Sequence, residues 1–391
     1  MNKKIIFLFF QPLDKYNYKR WGFETFLNQG WDVECWLFFG KFYSIFNKKE
    51  VFYQKRENFY NFKSTFECLK RLKKLPKNFY FIDAWDGSLK SNIIQRLMIL
   101  KGGKKIFVYT GLFPGLKNRT INLLLKNKIS FKLFTWFFMQ VIKVIYNKMN
   151  NVIFCPKPHY LFVSGNVSIK DAGNTSKNVK VINTHSFDYE EYSNLKNEPL
   201  KEEFKNSIVY IDQNLEGNYE FLLNNSKYAA SKDLHWKSLN SFFDAMSKKL
   251  NKKVLIAAHH RRDKNVKIDT NCEVYYSQTP NLIKNSSLVL VHNSVALSYA
   301  ILFKKPMIFI TTDEIKKFSI EIDFSIKKFS EILNAKLINI NNFESLDKYN
   351  FFNFDEEAYN RWKEDYIKSS ESKVQYLWED FIKIVEKEKF K

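Results

Sequence analysis

The sequence predicts an α/β protein of two domains, each a mostly parallel sheet flanked by helices. Three observations carry that reading. Short apolar runs alternate with stretches of helical periodicity along the whole chain, the pattern of repeated β/α/β units. A polar, acidic stretch at 186–206 that contains Pro199 divides the alternation into two sets. The 391 residues are enough for two hydrophobic cores of ordinary size.

The first set opens with Ile5–Phe10, an apolar run behind a basic start. It is too short for a signal-peptide core and no small-residue cleavage site follows, so it reads as a buried strand. A helix at 20–29, closed by Gly30, leads to a second strand at Val33–Phe38 and completes one β/α/β unit. Phe79–Ile82, Ile106–Tyr109, Val152–Cys155 and Val179–Ile182 continue the strands, with helices at 88–100 and 119–149. In the second set Ile208–Ile211, Val254–Ala258, Leu288–Val291 and Met307–Ile310 are strands, and 232–250 and 295–303 are helices. The tail at 355–390 is charged and helical, and Trp362 and Trp378 are its candidate anchors. The expected division is a first domain at 1–190, a linker at 191–206, a second domain at 207–350 and a helical region at 351–391 that packs back on the first domain.

The formal charge is +22, carried by 63 Lys+Arg against 41 Asp+Glu. The excess belongs to the first half, where residues 1–200 hold 33 basic against 14 acidic side chains. From Gly87 to Lys170 there is no acidic residue among 84, against 14 Lys+Arg. Such a run makes a positive surface in any fold and favours an anionic membrane surface. Nucleic acid is not the expected partner, because no DNA- or RNA-binding motif accompanies the charge. Within the run, 130–147 is apolar around most of a helix, with Phe134, Trp136 and Phe137 placed for headgroup level and Lys143 on the polar side. A buried core helix is the other reading of that segment. No segment reaches the ~20 clean apolar residues of a spanning helix. The four cysteines are far apart and carry no zinc spacing. Together these features point to a cytoplasmic chain, peripheral at the inner face of the membrane.

Candidate chemistry gathers at strand ends, where open α/β sheets bind ligands. The strand ending at Ala258 runs into His259, His260, Arg261 and Arg262. Arginine offers bidentate contacts to phosphate and histidine one more donor. The strand ending at Val291 runs into His292, Asn293 and Ser294, with Ser294 placed to cap the next helix and complete an anion site. Thr279 opens another helix nearby and offers a hydroxyl. In the first half, Phe81–Ser88 places Asp83 and Asp86 at a strand-to-helix turn, where Asp86 suits a general base and Asp83 is the lesser candidate. Glu24 and His185 read as surface and loop residues.

The stretch Leu282–Thr312 resembles the nucleotide-sugar domain of bacterial GT-B glycosyltransferases of capsule and lipopolysaccharide biosynthesis. It carries a strand, a His/Ser turn at His292–Ser294, an apolar helix and Lys304-Lys305-Pro306 before the next strand. Val209–Gln213 and Ile256–His259 are similar to segments that precede it in those proteins. The family turn after the alanines is usually His-Pro, where this chain has His259-His260. Asp86-Gly87-Ser88 is similar to the catalytic turn of bacterial sialyltransferases, which use a CMP donor. The resemblance implies a GT-B fold of two Rossmann-like domains around a central cleft. It implies transfer of a sugar, foremost a CMP-linked nonulosonic acid, to a surface polysaccharide or lipid-linked glycan. In that scheme His259 assists departure of the phosphate, and His260, Arg261, Thr279, His292, Asn293 and Ser294 bind the donor. No metal or other cofactor is called for. A teichoic-acid-type glycerol-phosphate transferase and a non-catalytic scaffold of polysaccharide assembly are the alternatives.

Overall fold

The structure is a computed structural model that describes residues 3–9, 13–38, 58–84, 89–111, 114, 155–172, 178–217, 228–343, 346 and 350–388. Asp86 and the expected membrane contacts Phe134, Trp136, Phe137 and Lys143 lie outside these residues, as do 152–154 of one expected strand.

Seven parallel strands form the first sheet: β1 (Lys4–Phe9), β2 (Asp32–Leu37), β3 (Phe59–Asn61), β4 (Phe79–Ala84), β5 (Gly103–Tyr109), β6 (Tyr160–Ser164) and β7 (Lys180–Thr184). Their order is β3-β2-β1-β4-β5-β6-β7. Six more form the second: β8 (Ile208–Ile211), β9 (Val254–Ala258), β10 (Glu273–Tyr276), β11 (Leu288–Val291), β12 (Met307–Thr311) and β13 (Lys336–Asn339). Their order is β10-β9-β8-β11-β12-β13. In both sheets the order reverses beside the first strand, the doubly wound arrangement in which a crevice opens at the carboxyl ends of the strands.

The central strands of each sheet are buried on both faces, so most of them read as apolar runs. Ile5, Phe7 and Phe9 enter one core, and Ile6 and Leu8 the other. The second sheet divides the same way. Val209, Ile211, Val289 and Val291 face one core, while Ile208, Tyr210, Leu288 and Leu290 face the other, beneath α7 (Lys232–Leu250). That helix buries Trp236, Leu239, Phe242, Phe243 and Met246, an i, i+3, i+4 stripe legible in the sequence.

The expected helix at 20–29 is the second of two short helices. The first, α1 (Lys15–Arg20), is capped by Asp14, whose carboxylate accepts the Asn17 N–H at 2.7 Å. The second is α2 (Phe23–Asn28), and Gly22 turns the chain between them at φ +70°. Gly30, at φ +74°, closes α2 as the sequence predicts.

The chain crosses between the two sheets twice. After β7, α6 (Phe187–Leu195) runs into the start of the expected linker and packs on α8 (Thr279–Asn285) and α9 (Leu297–Leu302) of the second half. Near the end, α12 (Glu356–Trp362) buries Trp362 against Phe329 in the second half. The following π-helical turn, Lys363–Ile367, meets α5 (Gly165–Ala172), and α13 (Leu377–Glu388) enters the core of the first sheet through Leu377, Trp378, Phe381, Ile382 and Val385. The C-terminal helix therefore crosses back. The two crossings touch each other: Ser186 donates its N–H to Ile367 at 2.7 Å, and buried His185 contacts the Gln375 carbonyl at 3.0 Å.

Gly22 sits under the Trp378 ring, whose Nε1–H donates to the Arg20 carbonyl at 3.0 Å. A Cβ at position 22 would overlap that ring and would hold a left-handed backbone. Gly22→Ala is expected to destabilise the protein by about 3 kcal/mol, the sum of backbone strain and overpacking. Urea unfolding of the variant checks this, and a loss near zero would mean that α13 does not dock there.

Candidate functional site

A cavity of ≈ 270 Å³ lies at the carboxyl edge of the second sheet. Ile211 to Gln213 after β8, Ala257 to His260 at the end of β9, Ser277, Thr279 and Pro280 after β10, and Asn293 to Ala296 after β11 form its floor. The β8/β11 boundary, where strand order reverses, runs beneath it. Its opposite wall is Tyr16 and Arg20 of α1, with Asp188 and Glu191 of α6. The cavity thus lies between elements that follow β1 and β7 of one sheet and strand ends of the other.

Two hydrogen bonds stitch the crevice. Gln213 Nε2 donates to Asn293 Oδ1 at 2.8 Å, and the Asn293 N–H donates to Gln213 Oε1 at 3.0 Å. The exits of β8 and β11 are thereby held in register across the boundary. Beneath them, Asp212 and Arg262 form a bidentate pair, with Nε–Oδ2 at 2.6 Å and Nη2–Oδ1 at 2.8 Å. Burial works against the Asp212 charge, but the Arg262 guanidinium holds its carboxyl below the usual range. Arg262 also reaches Glu216 at 2.9 Å. Asp212 accepts the backbone N–H of His259 at 3.1 Å and of Asn214 at 2.8 Å. Its carboxylate therefore shapes the turn that carries His259. In that turn the Arg261 N–H donates to His259 Nδ1 at 3.3 Å, which selects the neutral tautomer with hydrogen on Nε2.

The structure brings His259, His260, Thr279, Asn293 and Ser294 of the expected donor set onto one cavity. His292 does not reach it. Residues 288, 290 and 292 share one face of β11 and its extension, so His292 follows Leu288 and Leu290 into the core under α7. There it is fully buried between the Ile310 carbonyl at 2.7 Å and the Tyr210 hydroxyl at 3.1 Å. Arg261 is not on the cavity wall, and its charge acts on Asp14. Asp83 points into the first half, buried in an ion pair with Lys105 at 2.9 Å. Ser294 caps no helix side chain to backbone in the expected way: α9 begins at Leu297 with Ala296 as its cap, and Ser294 Oγ accepts the Ala296 N–H at 3.3 Å.

Sequence reading missed the opposite wall. The Tyr16 and His260 rings meet at a tilt of 35° with centroids 5.2 Å apart, and His260 Nε2 lies 3.8 Å from Asp14 Oδ2. Burial, with the positive charges of Arg261 and Arg20, pushes the His260 pKa far down, so this contact is not an ion pair near neutral pH. Glu191 accepts the Tyr299 hydroxyl at 2.5 Å. The signal for this wall was weak: Asp188 and Glu191 belong to an acidic stretch that reads as linker. Among the described residues no group of three or more His, Cys, Asp or Glu is placed to hold a metal ion, and no helix is long and apolar enough to cross a membrane.

Two histidines under the cavity are held neutral by burial. His235, with neither ring nitrogen hydrogen-bonded, is lowered to about 4, and His292 to about 3. Unfolded, both titrate near 6.5, so below that pH the unfolded chain binds more protons than the folded one. Their contribution is complete above about pH 6.5 and is lost as the pH falls toward 4. Unfolding free energy should fall by about 1.4 kcal/mol per pH unit for each histidine across that window. His235→Leu should remove one histidine's share, measured by urea unfolding between about pH 7 and 5. An unaltered slope in the variant would contradict a buried neutral His235.

No protein-family model matches the chain, and no curated protein matches it. Solved structures do. One variant of the wall teichoic acid polymerase TagF is similar at TM-score 0.53 and 14% identity, over 99% of this chain and 90% of that one. A second TagF variant gives 0.51 at 13% identity, over 100% and 90%. At such identity the likeness speaks to architecture, and with two doubly wound sheets, a cleft between them and a returning C-terminal helix, this chain has the GT-B fold.

Proposed function

We propose that the protein is a glycosyltransferase that takes a sugar from a nucleotide donor held at the second sheet. The observation that carries this reading is the cavity at the β8/β11 boundary, walled by the His259-His260 turn and the Asn293-Ser294 turn. Its ≈ 270 Å³ is near the lower end of small-molecule sites, about 300–1,000 Å³. The donor's phosphate would lie against His259 Nε2–H and the Ser294 turn. Hydrogen bonds there stabilise the oxyanion that forms as the bond from anomeric carbon to phosphate oxygen breaks. Asp86, between the end of β4 and the start of α4 (Leu89–Leu100), is the proposed base for the acceptor hydroxyl.

The donor proposed first is a CMP-linked nonulosonic acid, from the resemblance of Asp86-Gly87-Ser88 to sialyltransferases. The acceptor proposed is a bacterial surface polysaccharide or lipid-linked glycan. The basic stretch from Gly87 to Lys170 supports a peripheral position at the inner face of the membrane. A second reading, glycerol-phosphate transfer of the teichoic-acid type, draws on the fold likeness to TagF over nearly the whole chain.

The test is a thermal-shift titration with CMP, CDP, UDP and GDP, with His259→Ala alongside. A selective rise with one nucleotide, lost in the variant, supports the donor site. If CMP is selected, turnover of CMP-N-acetylneuraminate against CDP-glycerol separates the two readings, since both release CMP. Asp86→Asn should then abolish transfer while leaving the shift unchanged. A folded protein that responds to no nucleotide would remove the transferase reading in favour of a scaffold.

A further inference from the structure

Among the described residues Arg20 is the one guanidinium on the wall of this cavity, and it comes from the first half of the chain. Its surroundings leave its bonding incomplete. Nη2 reaches Asp188 Oδ1 at 3.3 Å, long for a charge-assisted bond, while Nε is buried without a hydrogen-bond partner. The guanidinium carbon lies among aromatic rings, 4.7 Å from the Phe187 centroid and 5.6 Å from that of Tyr16. Its helix is pinned from behind, where the Arg20 carbonyl accepts Trp378 Nε1–H. A half-buried arginine whose Nε–H has no partner costs stability unless something completes it.

Across the cavity stands the turn of His259 and His260, and the positive charges of Arg20 and Arg261 help keep His260 neutral. Asp188 and Glu191 offset the charge on the Arg20 side, but Glu191 is engaged by Tyr299. Asp188 is buried, and its pKa is raised by that burial. A second cavity of ≈ 80 Å³, lined by Lys19, Phe187, Glu190 and Asn194, shares Tyr16, Arg20 and Glu191 with the first. Arg20 therefore stands where two spaces meet.

We propose that Arg20 binds an oxyanion of the substrate, a phosphate or a sugar carboxylate, in the space between α1 and the His259-His260 turn. The proposal rests on the nucleotide-donor reading and deepens it: the first half of the chain helps to hold the donor, and the donor's anion ties the two halves together across the cleft. Asp188 then orients the guanidinium, and the anion supplies the partner that its Nε–H lacks.

The experiment is calorimetric titration of the full chain with CMP, CDP, UDP, GDP, inorganic pyrophosphate and N-acetylneuraminate. Arg20→Gln, Arg20→Lys and Lys19→Gln are compared with the parent protein, after their unliganded unfolding midpoints are measured. Arg20→Gln should weaken the bound anions about 10- to 100-fold, Arg20→Lys about 10-fold, and Lys19→Gln, an exposed neighbour, about two-fold or less. A loss confined to phosphate probes assigns phosphate as the ligand, and one confined to N-acetylneuraminate assigns the carboxylate. If Arg20→Gln does not fold, Arg20→Lys carries the comparison. Arg20-dependent binding of pyrophosphate or N-acetylneuraminate without any nucleotide would sustain the anion site and overturn the nucleotide reading. Affinities equal to the parent's in a folded Arg20 variant, or no anion bound by the parent protein, would overturn the proposal.

Discussion

The pairing of Asp212 with Arg262 governs the cleft. A carboxylate so deeply buried persists as a charge only when its partner and hydrogen bonds replace water. Arg262 fills both oxygens, and the backbone of Asn214 and His259 takes up the remaining capacity. The turn after β9 cannot relax without leaving one of these bonds unmade, so the position of His259 is set from below. The arginine next to it in sequence, Arg261, is released from that duty and turns its charge toward Asp14 of the first half. Two adjacent residues of one type thus have opposite roles, one in the foundation and one in the field above it.

The same constraint explains why the site is built from both halves. The strand ends of the second sheet supply backbone turns, neutral imidazole and small hydroxyls. The opposite wall supplies an arginine, two carboxylates and a tyrosine. The stitched exits of β8 and β11 keep the floor rigid, while α1 and α6 bring the second wall from the end of a different sheet.

Much of the architecture was legible in the sequence because strands buried on both faces are unbroken apolar runs. Ile208–Ile211, Val254–Ala258, Leu288–Val291 and the helix at 232–250 have the same limits in the structure. Strands β3, β10 and β13 were missed: they lie at sheet edges, short and mixed in polarity, where packing supplies the evidence that periodicity lacks. β6 was missed because Pro156, His159 and Tyr160 blur its start. In the site, proximity to strand ends located the right turns but not the directions of their side chains. His292 illustrates the gap. Its distance from Leu290 along the strand, two residues, already directs it into the core, and the motif reading overlooked that alternation. Arg20 was beyond reach, since nothing local to α1 records that the chain returns to it 168 residues later through Asp188.

The double crossing has a consequence for the integrity of the molecule. Lys196–Leu200 are exposed between the two halves, where a protease would cut. Such a nick would not release two domains. The upstream fragment keeps α6 lodged against the second core, and the downstream fragment keeps α13 lodged in the first. Each piece would hold an arm of the other, as in an exchanged dimer folded back on itself. Neither half, expressed without the other, would own a complete interior.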